Sequence, residues 1–405
     1  MTPVRKNKKI AVVCGHFMPE IGYQETYLAR AFSRLGYKVR VFSSTAISPT
    51  GKKILKSDYP TGLSVEPKYG YEVERLPISI NLNSKIIANG LANTVKDYEP
   101  DFIIIIALAK LFPIKVLSTH YKAAKKIAVF GDAGEYLDRT TTSKRIKAIF
   151  HEVISKNLKK QLYSRAVKEC DRIILNLNET ESFFKELLNP SLSKIFDKKK
   201  KRLTLGFDPD SFYFDENERA EIRHQLKIPE NDTVIITSTR VNKQKRLEEI
   251  INGISKLKEA GNNVRYIIIG FLGDEYEKEL KAFIKKQKHP EIFYCLGFMD
   301  HETIRKYYNA SDIGLWLKAA ISIQEAMGTG LKIVLENKDV VSHLLNNGTN
   351  GWYYEKGKLN DGLKNAVENE QKNNGSSIKD RKHIVELNSK WLSYNTIAGK
   401  IIEDL

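Results

Sequence analysis

Short aliphatic or β-branched runs recur along the chain, separated by longer stretches in which apolar residues return every three or four positions. In the first half the runs are Ile10–Cys14, Val39–Ser43, Phe102–Ala107, Ile127–Phe130 and Arg172–Leu175. In the second they are Val234–Ser238, Tyr266–Gly270, Phe293–Leu296, Ile313–Leu317 and Lys332–Leu335. Short runs without polar alternation read as strands buried on both faces, while Gln24–Leu35, Arg246–Glu259 and Glu277–Lys288 carry the helical period. Their alternation predicts parallel sheets sandwiched between helices, the doubly wound α/β class. The series restarts near residue 203, just after the basic run Lys198–Arg202, which reads as a solvated linker or an anion-contacting loop. The expectation is two Rossmann-like domains facing a central cleft: 1–202, joined by a C-terminal helix from 388 to 405, and 203–387. Ligands of such folds sit at the carboxyl ends of the strands.

Composition agrees with two domains and adds a question of charge. The chain has 405 residues, 41% of them hydrophobic, which is enough for two cores. Its 66 Lys+Arg exceed its 49 Asp+Glu, a formal net charge of +17. The surplus is segregated: residues 1–202 hold 37 bases and 19 acids, whereas residues 203–405 hold 29 and 30. Segregation implies an anionic partner for the first half in particular. Nucleic acid fits the charge, but no recognition helix, zinc spacing or aromatic RNA motif accompanies it, so none is expected. Cys14, Cys170 and Cys295 are far apart and read as buried thiols of a reducing compartment. The most apolar stretch, Phe102–Ala109, is shorter than the roughly 20 residues a membrane helix needs, and no secretory signal is visible. A cytoplasmic protein, soluble or peripheral on the inner face of the plasma membrane, is expected.

Candidate chemistry follows strand ends. After the first run, Gly15-His16-Phe17-Met18-Pro19-Glu20-Ile21-Gly22 leads into a helix, and Gly22 would let a ligand approach the backbone where N–H groups favour anions. The loop is not the G-x-G-x-x-G of dinucleotide enzymes. In the second half, Arg240 at a strand end and Lys245 at a helix entrance suit a diphosphate, one as a fork and one as a point charge. Farther on, Ser322 is placed to cap a short helix with Glu325 in its first turn, where a carboxylate can accept the protons of a vicinal diol such as a ribose.

Arg240 and Lys245, the Gly270-x-x-Gly273 region, Leu296-Gly297-Phe298, Tyr307-Tyr308-Asn309-Ala310-Ser311-Asp312, Gln324-Glu325-Ala326-Met327-Gly328-Thr329-Gly330 and Asn350-Gly351 together resemble the C-terminal half of family 4 glycosyltransferases of the GT-B fold. Phe17–Gly22 and Leu205-Gly206-Phe207-Asp208 extend the resemblance to the first half. It implies that Arg240 and Lys245 bind a nucleotide sugar's diphosphate, Glu325 its ribose, backbone near Phe298 its base, and backbone at Ser322 and Ile323 the sugar and phosphates. Gly22 would approach the diphosphate from the first domain. The family transfers the sugar with retention, usually without a metal; Asp208-Pro209-Asp210, the D-x-D in reach, lies in the opening turn of the second domain, and no metal or other cofactor is expected.

Two positions depart from the pattern. Many relatives carry a second Glu eight residues before the one matching Glu325, where this chain has Leu317, and a His where it has Gly131. His16 and Asp132 are the polar groups left for the sugar or acceptor side. Lys144–Lys168 reads as a basic amphipathic helix that buries Ile146, Phe150, Val153, Leu158 and Leu162 or faces an anionic bilayer. The expectation is a retaining, metal-independent transferase moving a sugar from a nucleotide sugar, UDP preferred, to a glycan or lipid-linked acceptor in surface polysaccharide or glycoconjugate synthesis. The alternatives are a non-catalytic nucleotide-sugar-binding subunit and an epimerase of the same fold.

Overall fold

Every residue of the runs Phe102–Ile106 and Thr233–Ser238 is buried, and each run is a central strand of its own sheet. The computed structural model describes residues 7–49, 51–55, 57–82, 85–131, 142–346, 348–372 and 378–405. Its strands are β1 (Lys9–Val13), β2 (Lys38–Ser44), β3 (Gly62–Val65), β4 (Glu72–Leu76), β5 (Ile78–Leu82), β6 (Lys85–Ala88), β7 (Phe102–Ile106), β8 (Lys125–Phe130), β9 (Arg172–Leu175), β10 (Lys200–Arg202), β11 (Thr233–Ser238), β12 (Val264–Phe271), β13 (Phe293–Gly297), β14 (Ile313–Trp316), β15 (Lys332–Glu336) and β16 (Gly351–Tyr354). Each run read as a strand from its apolar character is one.

Residues Met1–Thr204 and Ile397–Leu405 form one compact unit and Leu205–Thr396 another. The first unit's sheet runs β10-β9-β8-β7-β1-β2-β4-β3, parallel except for the β3–β4 edge, and the second runs β13-β12-β11-β14-β15-β16, parallel throughout. In each, the opening strand (β1 or β11) lies between its successor and a strand reached later, so strand order reverses beside it. That reversal leaves a crevice at the carboxyl ends of β1 and β7, and of β11 and β14, where neighbouring crossovers leave in opposite directions.

Helices seal the sheets. Gln24–Arg34 buries Tyr27, Leu28, Ala31 and Phe32, and Leu247–Glu259 buries Ile250, Ile251, Ile254 and Leu257. Polar residues set their ends: the side chain of Asp215 takes the N–H groups of Asn217 and Glu218, and Asp274 and Glu277 form a reciprocal capping box. One buried ionic knot fixes the second unit. Asp312, just before β14, accepts from Arg219 (2.6 Å), from Arg223 (3.3 Å) and from the N–H of Val234 (2.7 Å). Burial opposes its charge, but the two guanidinium groups hold its carboxyl below the usual carboxylate range.

Two local readings need correction. Lys198–Arg202 is no linker: Lys198 and Lys199 end the helix Pro190–Lys199, and Lys200–Arg202 is an edge strand paired with β9. Its charges are matched, Lys200 by Glu181 (2.7 Å) and Asp197 (2.6 Å), Lys201 by Glu403 (2.8 Å), and Arg202 by Glu181 (2.9 Å). Lys200, chiefly, holds the Glu181 carboxyl down at about 2. The C-terminal return also begins later than residue 388. Ile378–Leu392 stays with the second unit, and Ile397–Leu405 joins the first, where Arg172 donates to the carbonyl of Ile401 (3.0 Å). Asp208-Pro209-Asp210 is a turn in which the buried Asp208 accepts from Ser211 Oγ (3.2 Å). Among the described residues no three His, Cys, Asp or Glu side chains gather as metal ligands. The three cysteines are free thiols.

Candidate functional site

The crevice of the second unit is built on one carbonyl. Ser238 ends β11, and its oxygen accepts from Trp316 Nε1 (2.9 Å) at the end of β14 and from Ser322 Oγ (2.8 Å). Ser238 Oγ also bonds the buried phenol of Tyr308 on the helix His301–Ala310. Two strand ends and two helices are thereby held in register around the point where strand order reverses. Next to it, Gly270 in β12 has φ +119°, and a Cβ there would sit 2.0 Å from the carbonyl oxygen of Thr239. Only glycine permits that approach, and it fixes the path of the chain into Arg240.

Arg240 is exposed, and Lys245 is half-buried in a single 3₁₀ turn, Lys243–Lys245, ahead of the helix Leu247–Glu259. Burial first, and then the positive charges of Arg240 and Lys318, hold the Lys245 ammonium below lysine's ordinary pKa. Lys318 follows β14, the neighbour of β11, so two adjoining strand ends and the intervening turn bring three cations together. The sequence pointed to two of them. Lys318 escaped notice because nothing near it in the chain is basic, and only the pairing of β14 with β11 brings it to Lys245.

The helix expected after β14 spans Ile321–Gly328. Ser322 does not cap it: Ala320 holds the cap position, and the Ser322 hydroxyl is spent on Ser238. Glu325 is the fifth residue, one turn deeper than expected, and buried, with Oε1 4.0 Å from His301 Nε2. His301 begins its helix and packs its ring 5.3 Å from that of Phe212; sequence reasoning missed it. The Ile323 N–H donates to Ala320 (3.2 Å), and that of Phe298, whose side chain is exposed, to Phe271 (3.2 Å).

In the first unit, the loop after β1 is pinned by a residue that the sequence did not flag. Arg75 of β4 is buried and donates to the carbonyls of Phe17 (2.9 Å) and Ser44 (3.2 Å), with its guanidinium 3.6 Å above the Tyr59 ring. Gly22 closes that loop at φ +66°, its N–H bonded to Met18 (3.2 Å), and His16 is half-buried within it. Asp132 lies outside the described residues.

Residues 218–386 match the family model for glycosyl transferases group 1. The fold is the α/β architecture of GT-B glycosyltransferases, with two Rossmann-like domains. Sucrose-phosphate synthase of Thermosynechococcus elongatus superposes with a TM-score of 0.69 at 13% identity, over 97% of each chain. Anabaena HepE, solved with UDP-glucose, superposes with a TM-score of 0.66 at 17% identity, over 98% of each chain. In sequence, the chain is 25% identical to alpha-monoglucosyldiacylglycerol synthase of Acholeplasma laidlawii over 150 residues, which span 36% of this chain and 37% of that protein.

Within this GT-B frame the two departures acquire a structural form. Leu317 is buried in the second core beside Val334 and Trp352, so its position offers no carboxylate and the next residue, Lys318, is the exposed one. Gly131 is exposed at the end of β8. Thr142–Glu169 is one helix, and its second half buries Leu162, Tyr163, Ala166 and Val167 in the first core. Side chains 142–155, which include Ile146, Phe150 and Val153 and several of the expected bases, lie outside the description. Among the described residues no helix is long and apolar enough to cross a membrane.

Proposed function

We propose that the protein is a glycosyltransferase that takes its sugar from a nucleoside diphosphate sugar bound at the β11/β14 crevice. The observation that carries this reading is the convergence of Arg240, Lys245 and Lys318 at the switch point of a domain matching the glycosyl transferases group 1 model. Three cations, one of them half-buried, favour a ligand bearing several negative charges in a small volume, as a diphosphate does. As the glycosidic bond breaks, charge grows on that diphosphate, and cations already in place stabilise it without reorganising, so the transfer runs without a metal. Glu325 takes the ribose hydroxyls, with His301 beside it. Retention of configuration and a UDP donor are part of the proposal; the UDP-glucose complex of HepE supports the donor.

For the acceptor we favour a glycolipid or lipid-linked glycan at the inner face of the membrane. The basic surplus of the first half supports that choice, as does similarity to a synthase whose name specifies a diacylglycerol glycolipid. Calorimetric titration with UDP-, GDP- and ADP-glucose tests the donor site: Arg240→Ala and Lys245→Ala should each weaken binding of the preferred nucleotide about tenfold. Unchanged affinity in both would remove the diphosphate assignment.

A second reading, a binding subunit without turnover, is favoured by one observation, the burial of Leu317 where the resemblance places a carboxylate. Nucleotide release from the bound donor in the presence of lipid extracts decides between the two. Binding without release across all extracts supports the subunit, and isomerised donor without release points to an epimerase.

A further inference from the structure

The two side chains at the ribose end of the donor site stand on different helices. Glu325 belongs to Ile321–Gly328 and His301 to His301–Ala310, so the 4.0 Å between them depends on how one helix is set against the other. A third helix, Ile378–Leu392, bonds to both. Its Arg381 is 1% exposed and donates from one guanidinium nitrogen to the carbonyls of Asn309 (2.9 Å) and Ser311 (2.7 Å), and from another to that of Tyr308 (3.0 Å), at the end of the His301 helix. Two turns along the same face, the fully buried Asn388 donates to the carbonyl of Met327 (2.9 Å), at the end of the Glu325 helix. Gly330, at φ +73°, would place a Cβ 2.4 Å from the Arg381 carbonyl oxygen, so glycine is what lets the third helix lie this close to the turn after Gly328.

None of these bonds is needed to satisfy the carbonyls. Arg219 also reaches those of Asn309 and Ser311 (3.2 Å each), the N–H of Ser311 reaches Tyr308 (3.2 Å), and that of Gly330 reaches Met327 (3.1 Å). Burial first, and then the Arg219 charge, drive the Arg381 pKa down to about 9, and its Nε has no hydrogen-bond partner. An apolar side chain would fill that space at comparable cost. What the guanidinium and the amide add is a fixed spacing, because they tie two helix backbones to one rigid third. The tie reaches the site through Tyr308, whose backbone Arg381 holds and whose phenol bonds Ser238 Oγ and the Ser322 carbonyl (3.5 Å) at the start of the Glu325 helix. A misplacement of about 0.5 Å is enough to spoil a hydrogen-bonded constellation.

We propose that Arg381 and Asn388 are positioning residues that set Glu325 and His301 at the spacing a ribose diol requires. The proposal rests on the reading of Glu325 as the group that takes the ribose hydroxyls; the tie among the three helices does not.

Calorimetric titration of the full chain with UDP, 2′-deoxy-UDP and inorganic pyrophosphate tests the role. The wild type should prefer UDP to its 2′-deoxy analogue roughly tenfold, the loss expected of one hydrogen bond to a carboxylate. Arg381→Met and Asn388→Leu should each bring that ratio toward unity, while pyrophosphate, which has no ribose, binds as before. Arg381→Lys keeps the charge and a donor and should recover part of the ratio. A purely structural role would weaken all three ligands together or none, so a parallel loss, or a ratio unchanged in the variants, would overturn the proposal. Asn388→Leu is the independent arm should Arg381→Met fail to fold. Glu325→Gln should lose the ratio whether or not the tie matters, so a ratio lost there and kept in the helix variants overturns the positioning role alone. A wild type that binds UDP and its 2′-deoxy analogue alike would overturn the ribose reading itself, and the positioning role with it.

Discussion

Lys245 is held in a state that an anion would relieve. Its ammonium is destabilised by burial and by two neighbouring cations, so a bound diphosphate should draw its pKa back up and take in protons. Calorimetry in two buffers of different ionisation enthalpy at about pH 9 should register that uptake on UDP binding, and Lys245→Met should abolish it. Lys318→Ala should weaken UDP several-fold and lessen the uptake, since one source of repulsion is gone. Glu25 gives the opposite case in the first unit. A carboxyl raised from 4.5 to about 7 costs the fold nothing below pH 4.5, where both states are protonated, and its full penalty above pH 7, where it must ionise while buried. Glu25→Gln should therefore raise thermal stability at about pH 8, by on the order of 1–3 kcal/mol, and leave it unchanged at about pH 4. Arg240 and Lys245 could be picked out in the sequence because they flank one strand–helix turn. Lys318 could not, since its neighbours are supplied by strand pairing.

The elements of the second unit meet at the Ser238 carbonyl, and their order there is open to test. Tyr308→Phe removes the phenol's bonds to Ser238 Oγ and to the Ser322 carbonyl (3.5 Å) and should cost about 1–2 kcal/mol, with donor affinity falling through displacement of the Ser322 turn. Gly270→Ala should be far worse, roughly 2–4 kcal/mol by chemical denaturation, because both the left-handed backbone and the Thr239 contact exclude a methyl group. Strands were legible wherever burial on both faces made them uniformly apolar. β4 was missed because Glu72, Glu74 and Arg75 interrupt it, the first two paired with Arg40 of the adjoining β2. β10 was read as a linker because a lysine run resembles one until its acidic partners, 19 residues earlier and some 200 later, are known. Ser322 was taken for a cap because a serine near a helix start usually is one; here a better acceptor lay across the crevice.

At the scale of the whole molecule, the charge surplus belongs to residues 1–202, and part of it is internally matched, as the ion pairs of Lys200, Lys201 and Arg202 show. The unmatched remainder is what an anionic surface could use. Sedimentation with vesicles should show the protein bound to anionic lipid and released by salt, with little bound to neutral lipid; equal binding to both would remove the electrostatic argument. The chain also crosses between its two units twice, at Thr204–Leu205 and at Thr396–Ile397. Synthesis is vectorial, so Ile397–Leu405, which Arg172 and Lys201 hold against β9 and β10, emerges only after the entire second unit has been made. The half of the protein translated first is therefore the last to be completed, and until then Arg172 of β9 and Lys201 of β10 lack the Ile401 carbonyl and the Glu403 carboxylate that they bind in the finished fold. A ribosome-bound chain arrested short of residue 397 should be cut by protease within the first unit while the released chain resists.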